Sequence, residues 1–170
     1  FTTANTAASD AHGGVYSAYI VVMDSAFPTI YALEVLLSFS DPAVGVLGVN
    51  PYTGLEWLNA GSGNQIIAAY TSPVPTTDGA AVLVSLTLLY NGAGSDIILS
   101  ETVPSSLTNH PSGYDGPLAP VIADGADDTQ LGILRWTTGA DADGVVGRIN
   151  GDPIVATESR TLTDVKALFN

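Results

Sequence analysis

Apolar and polar positions alternate along much of this chain with the period of two that sends successive side chains to opposite faces of a strand. Over residues 30–39, Tyr31, Leu33, Val35, Leu37 and Phe39 fall on one side, while Ala32, Glu34 and Ser38 fall on the other. One face of that strand belongs in a core. Residues 81–90 repeat the pattern, with Val82, Val84, Leu86, Leu88 and Tyr90 facing one way and Ser85 and Thr87 the other. Shorter β-rich runs at 15–23, 44–49, 65–71, 95–99, 118–123 and 131–137 predict further strands.

Turn-forming residues separate these runs. Asp41-Pro42, Asn50-Pro51, Gly61-Ser62-Gly63-Asn64, Asp78-Gly79, Asn91-Gly92 and Ser112-Gly113 all favour conformations that a strand cannot continue through. The stretch 102–117 reads as a long surface loop. Beyond residue 127 the texture becomes small, acidic and glycine-rich, and the one helical pattern follows at 161–169. Thr161 suits its cap, Asp164 its first turn, and Leu162, Val165, Leu168 and Phe169 one apolar side. The chain therefore divides into an N-terminal extension or first strand at 1–14, a β-sandwich at 15–127 and a C-terminal extension at 128–170. Many short strands with regular turns predict an all-β protein.

The phrase Ala18-Tyr-Ile-Val-Val-Met-Asp-Ser-Ala, followed by Ile30-Tyr-Ala-Leu-Glu-Val-Leu-Leu-Ser-Phe-Ser-Asp-Pro-Ala-Val-Gly-Val-Leu-Gly-Val, resembles the early strands of cohesin domains. Ser40 is an added residue relative to the usual family wording. Gln65-Ile-Ile-Ala-Ala-Tyr, Asp78-Gly79, Val82-Leu-Val-Ser-Leu-Thr-Leu-Leu-Tyr-Asn-Gly and Ile97-Ile-Leu-Ser-Glu follow the order of the later strands. The resemblance spans residues 15–124. It implies a jelly-roll β-sandwich of about nine antiparallel strands, no catalysis, and binding of a dockerin-like module through one sheet face. Relatives of the fold also serve as carbohydrate-binding modules and surface-structure components. In the tail, Arg148-Ile-Asn-Gly-Asp-Pro-Ile-Val with Thr163-Asp-Val-Lys-Ala-Leu-Phe is similar to one half of a dockerin repeat. Arg148 stands there where a calcium loop wants Asp, and Pro153 where it wants Gly; Glu158 or Asp164 meets the required acidic spacing only approximately.

Composition narrows the partners. Hydrophobic residues make up 46% of the 170 positions and charged ones 12%, which supplies a core and excludes a mostly disordered chain. Four Lys and Arg against 17 Asp and Glu give a net charge of −13, which repels the phosphate backbone of nucleic acids and anionic membrane surfaces. No apolar run reaches the ~18 residues of a membrane span. With no Cys, disulfides, zinc thiolates and a cysteine nucleophile are excluded by arithmetic. The start at Phe1 fits a processed product that is secreted or held at the cell surface.

Candidate chemistry is sparse. His12 and His110 lie in loop contexts without a nucleophile motif, and Glu34 and Glu56 form a glycosidase pair only in the sense that 17 acids always allow one to be named. The chain therefore reads as a non-enzyme. Asp124, Asp127 and Asp128, and separately Asp141, Asp143, Asn150 and Asp152, are the oxygen-rich clusters that would suit Ca2+, though neither has a complete ligand spacing and both also read as solvated turns. Tyr52 and Trp57 lie between strands, where they either cap the core or anchor a partner. Two functions compete. The first is a protein assembly module that binds copies of itself or a dockerin-like module, with residues 1–11, led by Phe1, adding a strand to a neighbour's sheet. The alternative is a carbohydrate-binding module in which Tyr52, Trp57 and Trp136 contact a polysaccharide.

Overall fold

A computed structural model describes residues 7–8, 14–102, 120–127, 130–134 and 144–150. These residues form eleven strands: β1 (Ala7–Ala8), β2 (Val15–Val22), β3 (Thr29–Phe39), β4 (Gly45–Pro51), β5 (Trp57–Asn59), β6 (Gln65–Pro75), β7 (Ala81–Leu89), β8 (Ser95–Ser100), β9 (Val121–Asp124), β10 (Leu131–Ile133) and β11 (Val145–Ile149). No helix occurs among the described residues, and the expected helix at 161–169 lies outside them.

The strands make the expected two-sheet, all-β sandwich. One sheet has three strands in the order β2-β7-β4, and the other eight strands form the larger sheet. β3 is the spine of the larger sheet. β6 and then β5 lie on one side of it; on the other side β9 pairs with its first half and β8 with its end. β10 continues outward from β9, and β11 followed by β1 continues from β8. Every pairing is antiparallel except β1 with β11. Successive strands β2, β3 and β4, and again β6, β7 and β8, pass from one sheet to the other, the wrapped connectivity of a jelly roll. Eleven strands replace the expected nine or so: β5 is too short to register as alternation, and Gly147 and Arg148 interrupt the apolar pattern of β11.

The two inner faces share one core. Tyr16, Ile20 and Val22 of β2 and Leu83, Leu86 and Leu88 of β7 pack in the same cluster as Leu33, Val35 and Leu37 of β3 and Ile66, Ala68 and Tyr70 of β6. Each such large side chain contributes roughly 1.5–3 kcal/mol on burial. Tyr70 Oη bridges the sheets by donating to the Leu83 carbonyl at 3.1 Å. The core also reaches past residue 127, the expected end of the sandwich. β10 and β11 are strands of the larger sheet, and Ile149 is 1% exposed within the core.

Strict alternation fails at bulges in β7, β3 and β4, and the register of β11 against β8 also steps at Val146. In β7 the register steps from Val84 to Val82 opposite adjacent residues of β2, so Leu83 is the extra residue. Leu83 therefore turns inward beside Val84, and Val82, expected on the core face, is only half-buried. In β3 the step falls at Tyr31, so Ile30 joins Leu33 in the core while Tyr31 stays half-buried. In β4 it falls at Leu47, which stands 60% exposed.

The ends of the sandwich are closed by polar contacts. Tyr90 is buried, and its Oη lies within donating distance of Asp41 Oδ2 (2.8 Å) and the Gly94 carbonyl (2.7 Å). A Cβ at Gly92 would collide with the Tyr90 ring, so that turn requires glycine. Between β6 and β7, Asp78 and Gly79 both take positive φ, 52° and 73°, and Thr77 and Ala80 exchange two backbone hydrogen bonds across them. Asp and Gly are the residues that tolerate this two-residue turn.

Candidate functional site

The outer face of the three-stranded sheet is set by cross-strand register. Val15 lies opposite Leu89, Ser17 opposite Thr87, Tyr19 opposite Ser85 and Val21 opposite Val82, so these eight side chains share one surface, and β4 adds Asn50 beside Ser85. None of them is charged. Val15, Tyr19, Leu47, Tyr52 and Leu89 are all exposed, Tyr19 at 55%. Tyr19 and Tyr52 meet edge to face, with ring centroids 5.9 Å apart and planes at 81°. That geometry suits the aromatic quadrupoles and leaves both rings open on one flank. Tyr52 is fixed from behind, since its N–H donates to the Leu83 carbonyl at 3.0 Å. The Leu83 bulge thus supports the aromatic pair as well as the core.

The larger sheet presents a different outer face. Arg148 of β11 and Asp96 of β8 are register partners, and Arg148 Nε donates to Asp96 Oδ1 at 2.7 Å. Glu34 Oε2 accepts from Thr102 Oγ1 at 3.4 Å. Leu58 and Leu131 stand out singly on β5 and β10.

The residues expected to carry function are dispersed. Tyr52 belongs to the uncharged face. Trp57 packs against the core and lies against Tyr70, with ring centroids 6.0 Å apart. Phe1 and Trp136 lie outside the described residues, as do His12, His110, Asp128, Asp141, Asp143 and Asp152. Asp124 ends β9 and accepts the Ala126 N–H through Oδ1 at 3.0 Å, while the Asp127 carbonyl accepts from Gln130 N–H, so both act in one turn. Asn150 has a positive φ of 54° and ties three segments together: its Oδ1 accepts from Tyr16 Oη at 3.0 Å and its Nδ2 donates to the Gly92 carbonyl at 2.9 Å. Arg148 and Ile149, the start of the dockerin-like phrase, are strand residues of β11. Among the described residues no three His, Cys, Asp or Glu side chains gather closely enough to hold a metal ion. Glu56 is exposed, and its carbonyl accepts from Thr71 N–H at 2.9 Å.

Electrostatics singles out structural groups. The Ala43 N–H, followed by the Tyr90 hydroxyl, holds the Asp41 carboxyl below its ordinary range. Burial pushes the phenol of Tyr70 upward, and burial followed by the Asp41 carboxylate does the same to Tyr90.

Of the uncharged face only Tyr52 was among the expected site residues, although the signal of the rest is present in the sequence. Val15 to Val22 is apolar or uncharged at both alternating sets of positions, which reads equally as a strand buried on both sides. No helix among the described residues is long and apolar enough to cross a membrane. No family model, curated protein or solved structure matches this chain.

Proposed function

We propose that this chain is a non-catalytic assembly module of a cell-surface scaffold or filament that docks protein, in the first instance a second copy of itself, on the outer face of its three-stranded sheet. One observation carries the reading: five large apolar side chains stand exposed on a surface without charge, in a chain of net charge −13. Exposed apolar clusters of this kind mark interaction surfaces. Two copies that meet there keep their acidic surfaces apart, whereas contact elsewhere brings like charges together.

The contact is modest. Three strands about 4.8 Å apart and about 27 Å long present roughly 400 Å2, against about 800 Å2 per partner in a standard stable interface. Association through this face alone is accordingly weak and concentration-dependent. Light scattering across a wide concentration range is expected to give a mass that rises above 17.4 kDa for the native chain. The Tyr19→Ser/Leu47→Ser double variant, which removes apolar surface without altering charge, is expected to associate at least tenfold more weakly, a loss of about 1.4 kcal/mol. Leu58→Ser serves as the control on the other sheet and is expected to match the native chain. A native chain that stays monomeric throughout, or a double variant that associates as the native chain does, overturns the reading.

A further inference from the structure

The uncharged face is uneven. At one end Tyr19 of β2 and Tyr52, just past β4, lean toward each other above the middle strand β7: their ring centroids are 5.9 Å apart, although the strands that carry them are about 9.6 Å apart. At the other end Gly45 of β4 stands opposite Leu89, and Gly48 follows it opposite Thr87. A Cβ on Gly45 would meet Leu89 Cβ and the Leu89 carbonyl oxygen at 3.7 Å, which is ordinary contact. A Cβ on Gly48 would meet Thr87 at 3.8 Å and, closer, only the movable Asn50 amide at 3.2 Å. Both positions therefore face outward with their neighbours Leu89 and Thr87, and neither has a positive φ. Gly48 adjoins the β4 bulge, which gives it a place in the strand's own geometry. Neither backbone conformation nor space within the chain calls for glycine at Gly45. Glycine weakens a strand, and where the strand does not need it, it marks the close approach of something else.

Two copies that dock through the same face are related by a two-fold axis lying between them, and every contact occurs twice. An axis along the strands would set the tyrosine pair of each copy on that of the other, tall group on tall group, and hold the glycine ends apart. An axis across the strands sets the tall end of each face on the low end of the other. Gaps between packed surfaces forfeit contacts, so packing favours the second arrangement. Its register follows from β7. Tyr52 is level with Leu83, whose carbonyl receives its N–H, and Gly45 is level with Leu89, so the two lie about 20 Å apart along the strand. An axis crossing β7 midway, near Leu86, brings Tyr52 of each copy over Gly45 of the other.

We infer that two copies meet about a two-fold axis that crosses the strands near Leu86, with Tyr52 of each copy seated in the gap at Gly45 of the other. The inference rests on self-docking through this face and adds the symmetry of the contact and the residues that meet in it. Such a contact occupies the face completely and closes at two copies, so a longer assembly of this chain needs a second surface.

Residues about 20 Å apart in one chain act independently, so any coupling between Gly45 and Tyr52 runs through a second copy. Gly45→Phe adds apolar surface, which would strengthen a face that is merely sticky. Here it fills the gap and is expected to weaken self-association about tenfold or more in light scattering. Tyr52→Ala is expected to weaken it as well. The double variant Gly45→Phe/Tyr52→Ala moves bulk from one side of the contact to the other and is expected to return to within about threefold of the native chain. Urea unfolding of each variant at low concentration checks that it folds. Should Gly45→Phe not fold, Gly45→Ala with Tyr52→Ala gives the same cycle at smaller amplitude. Effects that simply add, or a Gly45→Phe chain that associates as tightly as the native one, overturn the inference. If the native chain still associates and Tyr19→Ser/Leu47→Ser still weakens it, self-docking through the face survives that result. A native chain that stays monomeric overturns both.

Discussion

The outer faces of the two sheets are built from the same alternation and end in opposite states. On the larger sheet charged groups have partners, Asp96 an ion pair with Arg148 and Glu34 a hydrogen bond from the Thr102 hydroxyl, and large apolar groups stand out only singly. On the three-stranded sheet there is no charge to answer, and Tyr19, Tyr52, Leu47, Val15 and Leu89 stand together. The first face satisfies its own chemistry; the second leaves apolar surface whose natural complement is more protein. Binary patterning alone makes both faces non-core, and what separates them is the identity of the outward residues.

Neighbouring residues on one strand test this contrast most sharply. Leu88 and Leu89 of β7 are 0% and 37% exposed, one in the core and the other on the uncharged face. Leu88→Ala is expected to cost about 2–5 kcal/mol in urea unfolding. Leu89→Ala is expected to change stability by less than about 0.5 kcal/mol, while weakening self-association. A comparable stability loss for both would mean that the outer face is part of the fold rather than a surface held open for a partner.

The link between the sheets gives the next effect. Tyr70→Phe removes the Tyr70 hydroxyl from the Leu83 carbonyl and is expected to cost about 0.5–1.5 kcal/mol. It also alters the response to alkali. Burial raises the Tyr70 phenol in the folded state, so the folded chain holds this proton more tightly than the unfolded one. The resulting stability is complete below the ordinary tyrosine value near 10 and declines as pH rises above it. Urea midpoints of the native chain are expected to drop between about pH 9 and 11, and those of Tyr70→Phe to drop less, with the remainder due partly to Tyr90. Equal drops would remove Tyr70 from this account.

The smallest effect belongs to the self-satisfied face. Arg148→Ala breaks the pair with Asp96, both partly exposed, and is expected to cost under about 1 kcal/mol, less in high salt. A larger, salt-insensitive loss would show that the larger sheet depends on its surface charges after all.

Much of the fold was legible because long strands print their burial on the sequence. Leu33, Val35 and Leu37, and likewise Val84, Leu86 and Leu88, recur at every second position and are buried as read. The bulges were not legible, since an extra residue leaves composition unchanged and shifts only phase; Tyr31 and Val82 were assigned to the core for that reason. β11 was hidden because Val145-Val-Gly-Arg-Ile carries a glycine and an arginine among acidic glycine-rich neighbours. Its burial comes from tertiary pairing with β8. The candidate site was the least legible part. Tyr52 was singled out for its loop position, but its partner Tyr19 lies 33 residues away in sequence and meets it only through the register of three strands.

The Leu83 bulge also constrains which insertions and deletions this chain can absorb. Deleting Leu83 would leave Val82 opposite Val21 and Ala81 opposite Val22 in unbroken alternation, while removing a fully buried core side chain and the carbonyl that receives both Tyr52 and Tyr70. Loss of that one codon would disturb the core, the sheet-to-sheet bridge and the aromatic pair together. A codon gained at the exposed Gly63, where added atoms meet open space, would leave all three alone.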